Sequence, residues 1–492
     1  MPGGAHRCFP IVAPRTVVVG GVALGMLAAF SKPANAAGLD GAMLTWPWAL
    51  PFAGLLISIA AGPLLAPKLW HAHYGKVAFM WSALTIAPIA ALYDLPTALA
   101  TLAHALVGEY MSFIILLFAL YVVAGGILVT GTLRGTPLVN TALLAFGTAI
   151  ASIVGTTGAA MILVRPLLRA NAGRLHNVHV VVFFIILVAN IGGALSPLGD
   201  PPLFVGFLHG VDFFWTTVNL WAPTATAAGL VLVAFLAVDV FLHRKDRRIA
   251  VVGEPEPDAG LRVRGLVNLP LIALVVGAIL LSATWKPGIA FDVYGTPLEL
   301  QNLVRDGILL AIALVSLVAT PDEHRERNGF SWEPILEVAK LFAGIFVCIV
   351  PVMVALQAGK SGPFAGLLAF MTTADDMPKN VAYFWLTGGL SALLDNAPTY
   401  LVFFELAGGD AGKLMSEQGT LAANSMGAVY MGALTYVGNA PNFMIYAIAT
   451  ERGVKMPSFF GYIAWSATIL LPVFLVLTFA FVTSWPWPLF WH

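Results

Sequence analysis

Charge is what this chain has least of. Only 10% of its 492 residues are Asp, Glu, Lys or Arg, well below the roughly 25% of soluble domains. The 25 basic and 25 acidic residues cancel, so no basic surplus directs the chain to nucleic acid. Cysteine is nearly absent. Cys8 and Cys348 are too few and too far apart for a disulfide framework or a Cys-based metal centre. No Gly-rich phosphate loop ending in Gly-Lys-Ser/Thr is present, which excludes the usual ATP-driven pump. Neither a His-Glu-x-x-His metal motif nor an Arg-rich voltage sensor occurs. Leu198-Gly199-Asp200 approaches the Gly-x-Gly-Asp element of intramembrane aspartyl proteases, but Pro197 stands where the first glycine belongs.

What is present is apolar. Hydrophobic residues make up 59% of the chain, more than a soluble fold can hide. About 20 apolar residues cross a bilayer, and such runs recur at 48–65, 77–93, 111–130, 178–197, 214–242, 266–284, 303–320, 335–356, 421–437 and 459–483. Two further stretches, 138–168 and 381–406, are interrupted near their middles. Residues 1–36 have the form of a secretory signal peptide or, if uncut, of a first helix. Arg7 and Arg15 precede an apolar run, and Ala34-Asn35-Ala36 is a small-x-small cleavage pattern. The most hydrophilic segment, 243–265, divides the chain into 37–242 and 266–492.

Lys and Arg set orientation. Placing Lys68, Lys76, Arg165, Arg169, Arg174, the 243–265 linker and Arg325/Arg327 in the cytoplasm makes the ten spans alternate, provided each interrupted stretch enters and leaves on one side. The stretch at 138–168 then enters from the cytoplasm and that at 381–406 from outside. The tryptophans of 485–491 fall at the outer interface. The expectation is an all-α polytopic membrane protein with about ten transmembrane helices and two re-entrant hairpins, in two inverted repeats with helices broken at mid-membrane. The expected location is a bacterial inner membrane.

The halves also match in sequence. A shift of 239 lays residues 193–204 over 432–443, with six of twelve pairs identical and Asp200 over Asn439. It lays Thr156 and Thr157 over Asp395 and Asn396, and Ala172-Gly173-Arg174-Leu175 over Ala411-Gly412-Lys413-Leu414. One offset joins three patches.

Broken helices at membrane depth must be buried in protein or line a wet cavity, because their backbone groups have no partner in lipid. Breaks at 196–202, 435–441, 155–158 and 394–398 offer free carbonyls and hydroxyl, amide and carboxylate oxygens. That chemistry suits a hard cation such as sodium, while helix N-termini suit anions. Asp200 and Asp395 are acids in apolar, interrupted segments. A carboxylate there costs roughly 2.5–3.5 kcal/mol on insertion scales unless it meets a cation, a proton or water. Each could instead cap the helix that follows. Around them Thr156, Thr157, Asn190, Ser196, Asn396, Thr399, Thr435 and Asn439 are candidate ion or substrate contacts. Thr157, Ser196, Asp200, Asp395, Asn396 and Asn439 are the candidate sodium ligands. Arg165 and Glu405 are weaker candidates for substrate and proton handling. His176 and His179 read as ordinary loop and helix-start residues, and Asp375-Asp376 as a solvated loop.

These residues resemble a known group. The run from Asn190 to Pro202, Asn-Ile-Gly-Gly-Ala-Leu-Ser-Pro-Leu-Gly-Asp-Pro-Pro, resembles the first signature of the ion-transporter superfamily. Ser391-Ala392-Leu393-Leu394-Asp395-Asn396-Ala397-Pro398-Thr399 resembles the second hairpin of its antiporter and arsenite branches. The resemblance covers most of the chain after Trp46. It implies a homodimer with scaffold and transport domains and elevator-like movement, with ions held at hairpin tips and broken helices. Those positions here are Thr156, Thr157, Ser196, Asp200, Asp395, Asn396, Thr399, Thr435 and Asn439. The tips lack the Ser-Asn-Thr signature of the dicarboxylate branch. The expectation is therefore a sodium/proton antiporter needing no cofactor beyond its coupling ions. A transporter of citrate, another small organic anion or arsenite is the alternative, and an intramembrane hydrolase the distant one.

Overall fold

The structure is a computed structural model describing residues 39–131, 133–249, 262–373, 375 and 377–483, without the side chains of 247–249. The expected signal peptide at 1–36, most of the 243–265 linker, Asp376 and the tryptophan-rich 485–491 segment lie outside the described residues. The protein is an all-α polytopic membrane protein. Nine helices among the described residues are long and apolar enough to cross a membrane. Among the described residues, sheet is confined to two short ribbons.

Interrupting residues shape the two hairpins. Thr136 caps the first arm by accepting from Val139 N at 3.4 Å, with Pro137 in the first turn. That arm, Pro137–Val154, ends at Gly155 and the chain returns as Thr156–Ala170. Gly155 has φ +80°, a left-handed conformation that glycine adopts without a steric penalty. The second hairpin pairs Asn380–Leu393 with Asn396–Leu406 and turns through Leu394 and Asp395. Beside each hairpin stands a broken helix. Val178–Leu187 passes through a 3-10 turn at Ile191–Leu195 and restarts as Pro201–Leu208. Gly419–Met431 passes through Gly432–Leu434 and restarts as Ala440–Glu451.

The broken helices form the centre and the first helices the margin. Of the Val178–Leu195 window 89% is buried, against 17% for both Trp46–Leu65 and Pro67–Leu92. The marginal helices expose residues such as Phe79 and Leu65, as lipid-facing helices must.

Several boundaries differ from the sequence expectation. The span expected at 111–130 belongs to a continuous 31-residue run, Leu95–Gly125. It starts where the Asp94 side chain accepts from Thr97 N at 2.7 Å and includes a π-helical stretch at His104–Tyr110. The span expected from 77 starts at Pro67. The helix expected to end at 242 continues as Trp215–Ile249 into the supposed linker. The linker's far end, Arg262–Arg264, pairs antiparallel with Leu128–Thr130. Gly419–Met431 has only 13 residues and needs Ala440–Glu451 to complete its depth.

Arg325, expected in a basic cytoplasmic loop, is buried. Its Nη1 donates to Val122 O at 2.7 Å and its Nη2 to Ser316 O at 2.9 Å. It thereby satisfies the terminal carbonyls of two helices, where a cation also meets the negative end of each helix dipole. Cys348 is a free, buried thiol.

Candidate functional site

Four elements with distant sequence positions meet at Asp200. The residue occupies the N-cap position of Pro201–Leu208, but its side chain makes no cap bond. Its Oδ1 accepts from Thr156 Oγ1 at 3.1 Å and from Asn439 Nδ2 at 3.0 Å. Its Oδ2 accepts from Asn396 Nδ2 at 2.6 Å. Both hairpin tips and both broken helices thus supply one group each. Asp200 and Asn439, equivalent under the 239-residue shift, bond directly to one another.

All three donors are neutral. Asp200 is 1% exposed, and no Lys, Arg or His side chain bonds to it among the described residues. A buried carboxylate without a counter-charge is unfavourable. The N-termini of Thr156–Ala170, Pro201–Leu208, Asn396–Leu406 and Ala440–Glu451 start around it and offset part of that cost through their partial positive charge. Asn396 Oδ1, on the amide that donates to Asp200, is buried with no hydrogen-bond partner.

Asp395 behaves differently. Its carboxylate accepts from Ala397 N at 3.2 Å, the cap that its position suggests. It also lines a cavity of about 90 Å³ together with Gly155, Thr157, Asp200 and Asn439. A second cavity of about 630 Å³ shares Asp395, Asn439, Ala440 and Met444 with the first. This vestibule is lined by Glu333, Glu337 and Glu451 as well as by Lys68 and His71. Four carboxylates, counting Asp395, therefore face one lysine and one histidine.

The breaks are held open by paired devices. Ser196 Oγ donates to Ser152 O and accepts from Leu198 N. Thr435 Oγ1 donates to Ala392 O at 2.6 Å and accepts from Gly438 N at 3.0 Å. Each hydroxyl ties its break to the neighbouring hairpin arm, and neither residue lines the two cavities. Gly199 is required by close approach, since a Cβ there would lie 2.1 Å from Gly193 O. Thr399 Oγ1 donates to its own helix at Asp395 O, 2.9 Å away. Thr157 lines the smaller cavity. Asn190 stands behind the site. Its Nδ2 donates to Asn442 Oδ1 at 2.8 Å, and its Oδ1 lies 3.4 Å from Asn439 Nδ2.

Asn442 was not singled out from sequence. It is fully buried and donates to Gly432 O and Thr435 O, fixing the second break. Ser152 and Ser391, also 239 apart, bond to Gly192 O and Ala428 O. Their equivalence under the shift is the signal that would have found them.

The weaker candidates lie elsewhere. The Arg165 guanidinium packs over Gly329 and lines neither cavity. Glu405 is at the far end of the second hairpin's inner arm. His176 lies in a loop and His179 in the first turn of Val178–Leu187, as expected, and both belong to an ionic cluster that the sequence did not suggest. Asp239 meets Arg174, His179 Nε2 at 2.8 Å and Asn140 Nδ2 at 2.9 Å. Asp246 meets His176 and Arg174. Neither acid was anticipated, because each sits toward the polar end of a long apolar helix.

The sequence matches the family described as "Putative citrate transport" over residues 41–482. It is also similar to two proteins named uncharacterised transporters, from Mycobacterium bovis and Mycobacterium tuberculosis. Each is 24% identical over 334 residues, covering 66% of this chain and 72% of the relative.

Proposed function

This chain belongs to that citrate-transport family, a member of the ion transporter superfamily, and from that premise we propose that this transporter is a sodium/proton antiporter. The carrying observation is the state of Asp200. It is buried, bonded by three neutral donors, and without a side-chain cation among the described residues. Such a group takes its counter-charge from a bound cation or a proton. The two compete for one carboxylate, and competition for one site is the core of exchange. Asn396 Oδ1 supplies an unused oxygen beside it. Thr157, Asp395 and Asn439 supply further oxygens around the same cavity. Carboxylates along the vestibule concentrate cations at its mouth.

In this reading the two hairpins and two broken helices move together as the transport body of an elevator. The halves are inverted repeats, the protein is a homodimer, and it resides in a bacterial inner membrane. Ser196 and Thr435 hold the loops whose free backbone faces the ion.

The family match favours a second reading, uptake of citrate or a related organic anion. The helix N-termini around Asp200 would support it, but the smaller cavity is lined by no Lys, Arg or His. Arsenite transport shares the fold and lacks a distinguishing observation. A hydrolase using Asp200 and Asp395 predicts bond cleavage without ion flux, contrary to the transporter family. Reconstitution in proteoliposomes separates these. Antiport gives sodium-dependent collapse of an imposed pH gradient, with the sodium requirement rising as pH falls and protons occupy Asp200. No response to sodium or lithium at mildly alkaline pH, together with uptake of labelled citrate, would replace the first reading with the second.

A further inference from the structure

A second group of titratable side chains lies at the end of the molecule remote from the vestibule. Glu333 lines the vestibule, and Gln357 closes the same 25-residue helix, about 36 Å away at 1.5 Å per residue. Gln357 Nε2 donates to Glu405 Oε2 at 3.2 Å. Glu405 is 4% exposed. It lies nine residues beyond Asn396 on the inner arm of the second hairpin, about 14 Å along that helix.

Two other elements bring charge to this point. His209 follows Pro201–Leu208, and its ring lies 5.9 Å from that of Phe404. Its Nε2 is 3.7 Å from Glu109 Oε1. Glu109 belongs to the π-helical stretch His104–Tyr110, a geometry that recurs at functional sites. His104 Nε2 approaches the same Glu109 oxygen at 3.9 Å. The other elements packed on this arm, Asn380–Leu393 and Gly419–Met431, carry no Asp, Glu, Lys, Arg or His.

The bonding of His209 fixes where one hydrogen must be. Its Nδ1 lies 2.9 Å from Val205 O. A carbonyl only accepts, so Nδ1 carries a hydrogen. A neutral ring would then turn the lone pair of Nε2 toward the Glu109 carboxylate. The approach is favourable only with a further proton, on Nε2 or on the carboxyl. Glu405, buried beside this pair, receives one neutral amide donor from Gln357.

We propose that Glu405, Glu109 and His209 form a second, exchangeable proton-binding site on the face opposite the vestibule. It sits where the second hairpin meets the helices Leu95–Gly125 and Glu333–Gln357. Protons reach it through Glu109 and His104, whose side chains are 23% and 47% exposed. The bound proton lets two carboxylates and the imidazole share one small volume. Its loss sets like charges against each other and loosens the hairpin at that joint. This proposal stands without the antiport reading, because it concerns proton occupancy rather than transported cargo.

Infrared difference spectra of the full chain in nanodiscs, titrated with pH, test it. The carbonyl band of a protonated carboxylic acid is expected in the wild type and lost in Glu405→Gln. His209→Gln removes the imidazole that shares the proton and should move the pH at which that band disappears. Glu109→Gln, at a more exposed position, should also move the titration and guards against a folding failure of the Glu405 variant. Asp200→Asn should leave this band in place, so failure of the central site reads separately. Unchanged titration in folded Glu109→Gln and His209→Gln proteins would overturn the proposal.

Discussion

Asp200 and Asp239 are both aspartates on apolar helices, 1% and 0% exposed. Asp239 is neutralised from within. Arg174 and His179 bring it cationic and imidazole donors, and Asn140 adds an amide. Asn140 also bonds to Asn171, so the cluster clamps both arms of the first hairpin to the Trp215–Ile249 helix. Asp200 receives as many donors, all of them uncharged. One acid has its counter-charge built into the fold. The other has only neutral side-chain partners among the described residues. Burial is common to both acids; what makes Asp200 the candidate is burial without a cationic side-chain partner.

The largest expected effect falls on the clamp. Asp239→Ala takes the nearer carboxylate from the buried Arg174 and leaves it Asp246 alone, 3.8 Å away, which should cost about 3 kcal/mol of stability, the low end for a broken buried pair. Thermal unfolding in detergent should show it, and replacing Arg174 by Leu in the same chain should recover part of the loss. Asp200→Asn should lower stability by no more than about 1 kcal/mol, since Asn396 can turn its free oxygen to the new amide. Equal destabilisation by the two substitutions would break the comparison.

Function should invert that order. Asp200→Asn removes a charged ligand worth about 3 kcal/mol, roughly 100-fold in cation affinity, read as sodium-dependent flux in proteoliposomes. Asn396→Ala or Asn439→Ala removes one neutral partner and should cost about 1.4 kcal/mol, or roughly tenfold, in the same assay. Glu333→Gln in the vestibule should have the smallest effect. It acts through long-range attraction, so it should slow cation entry about two- to threefold at low salt and vanish at about 1 M salt.

Much of the fold was legible because lipid imposes strong rules. Apolar runs had to be helices, and Gly155 or Leu394-Asp395 within such runs had to be breaks. Asp200 stood out as an acid in an apolar, Gly/Pro-broken segment. Asp94-Leu95-Pro96 carried a readable helix start, a capping acid followed by proline, yet the apolar window hid it. Asp239 was less legible. An acid near the end of a long apolar helix reads as the edge of a span, and nothing local announces Arg174 or His179 as partners. Ser152 and Ser391 carried only the 239-residue equivalence, since a serine in a membrane helix more often bonds to its own backbone, and Asn442, which lies over Leu203, lacked even that.

Residue composition and order are enough to imply a membrane chain with a duplicated, broken-helix motif. Composition, period and the repeated Gly, Pro and polar positions are local properties, and the bilayer leaves them few solutions. Packing, not chain order, gives Asp239 a cationic partner and Asp200 only neutral ones among the described residues. The partners of Asp200 are 44, 196 and 239 residues away, and those of Asp239 are 60 to 99 away. Electrostatic state depends on distances of a few ångströms between such residues, and chain order does not encode those distances.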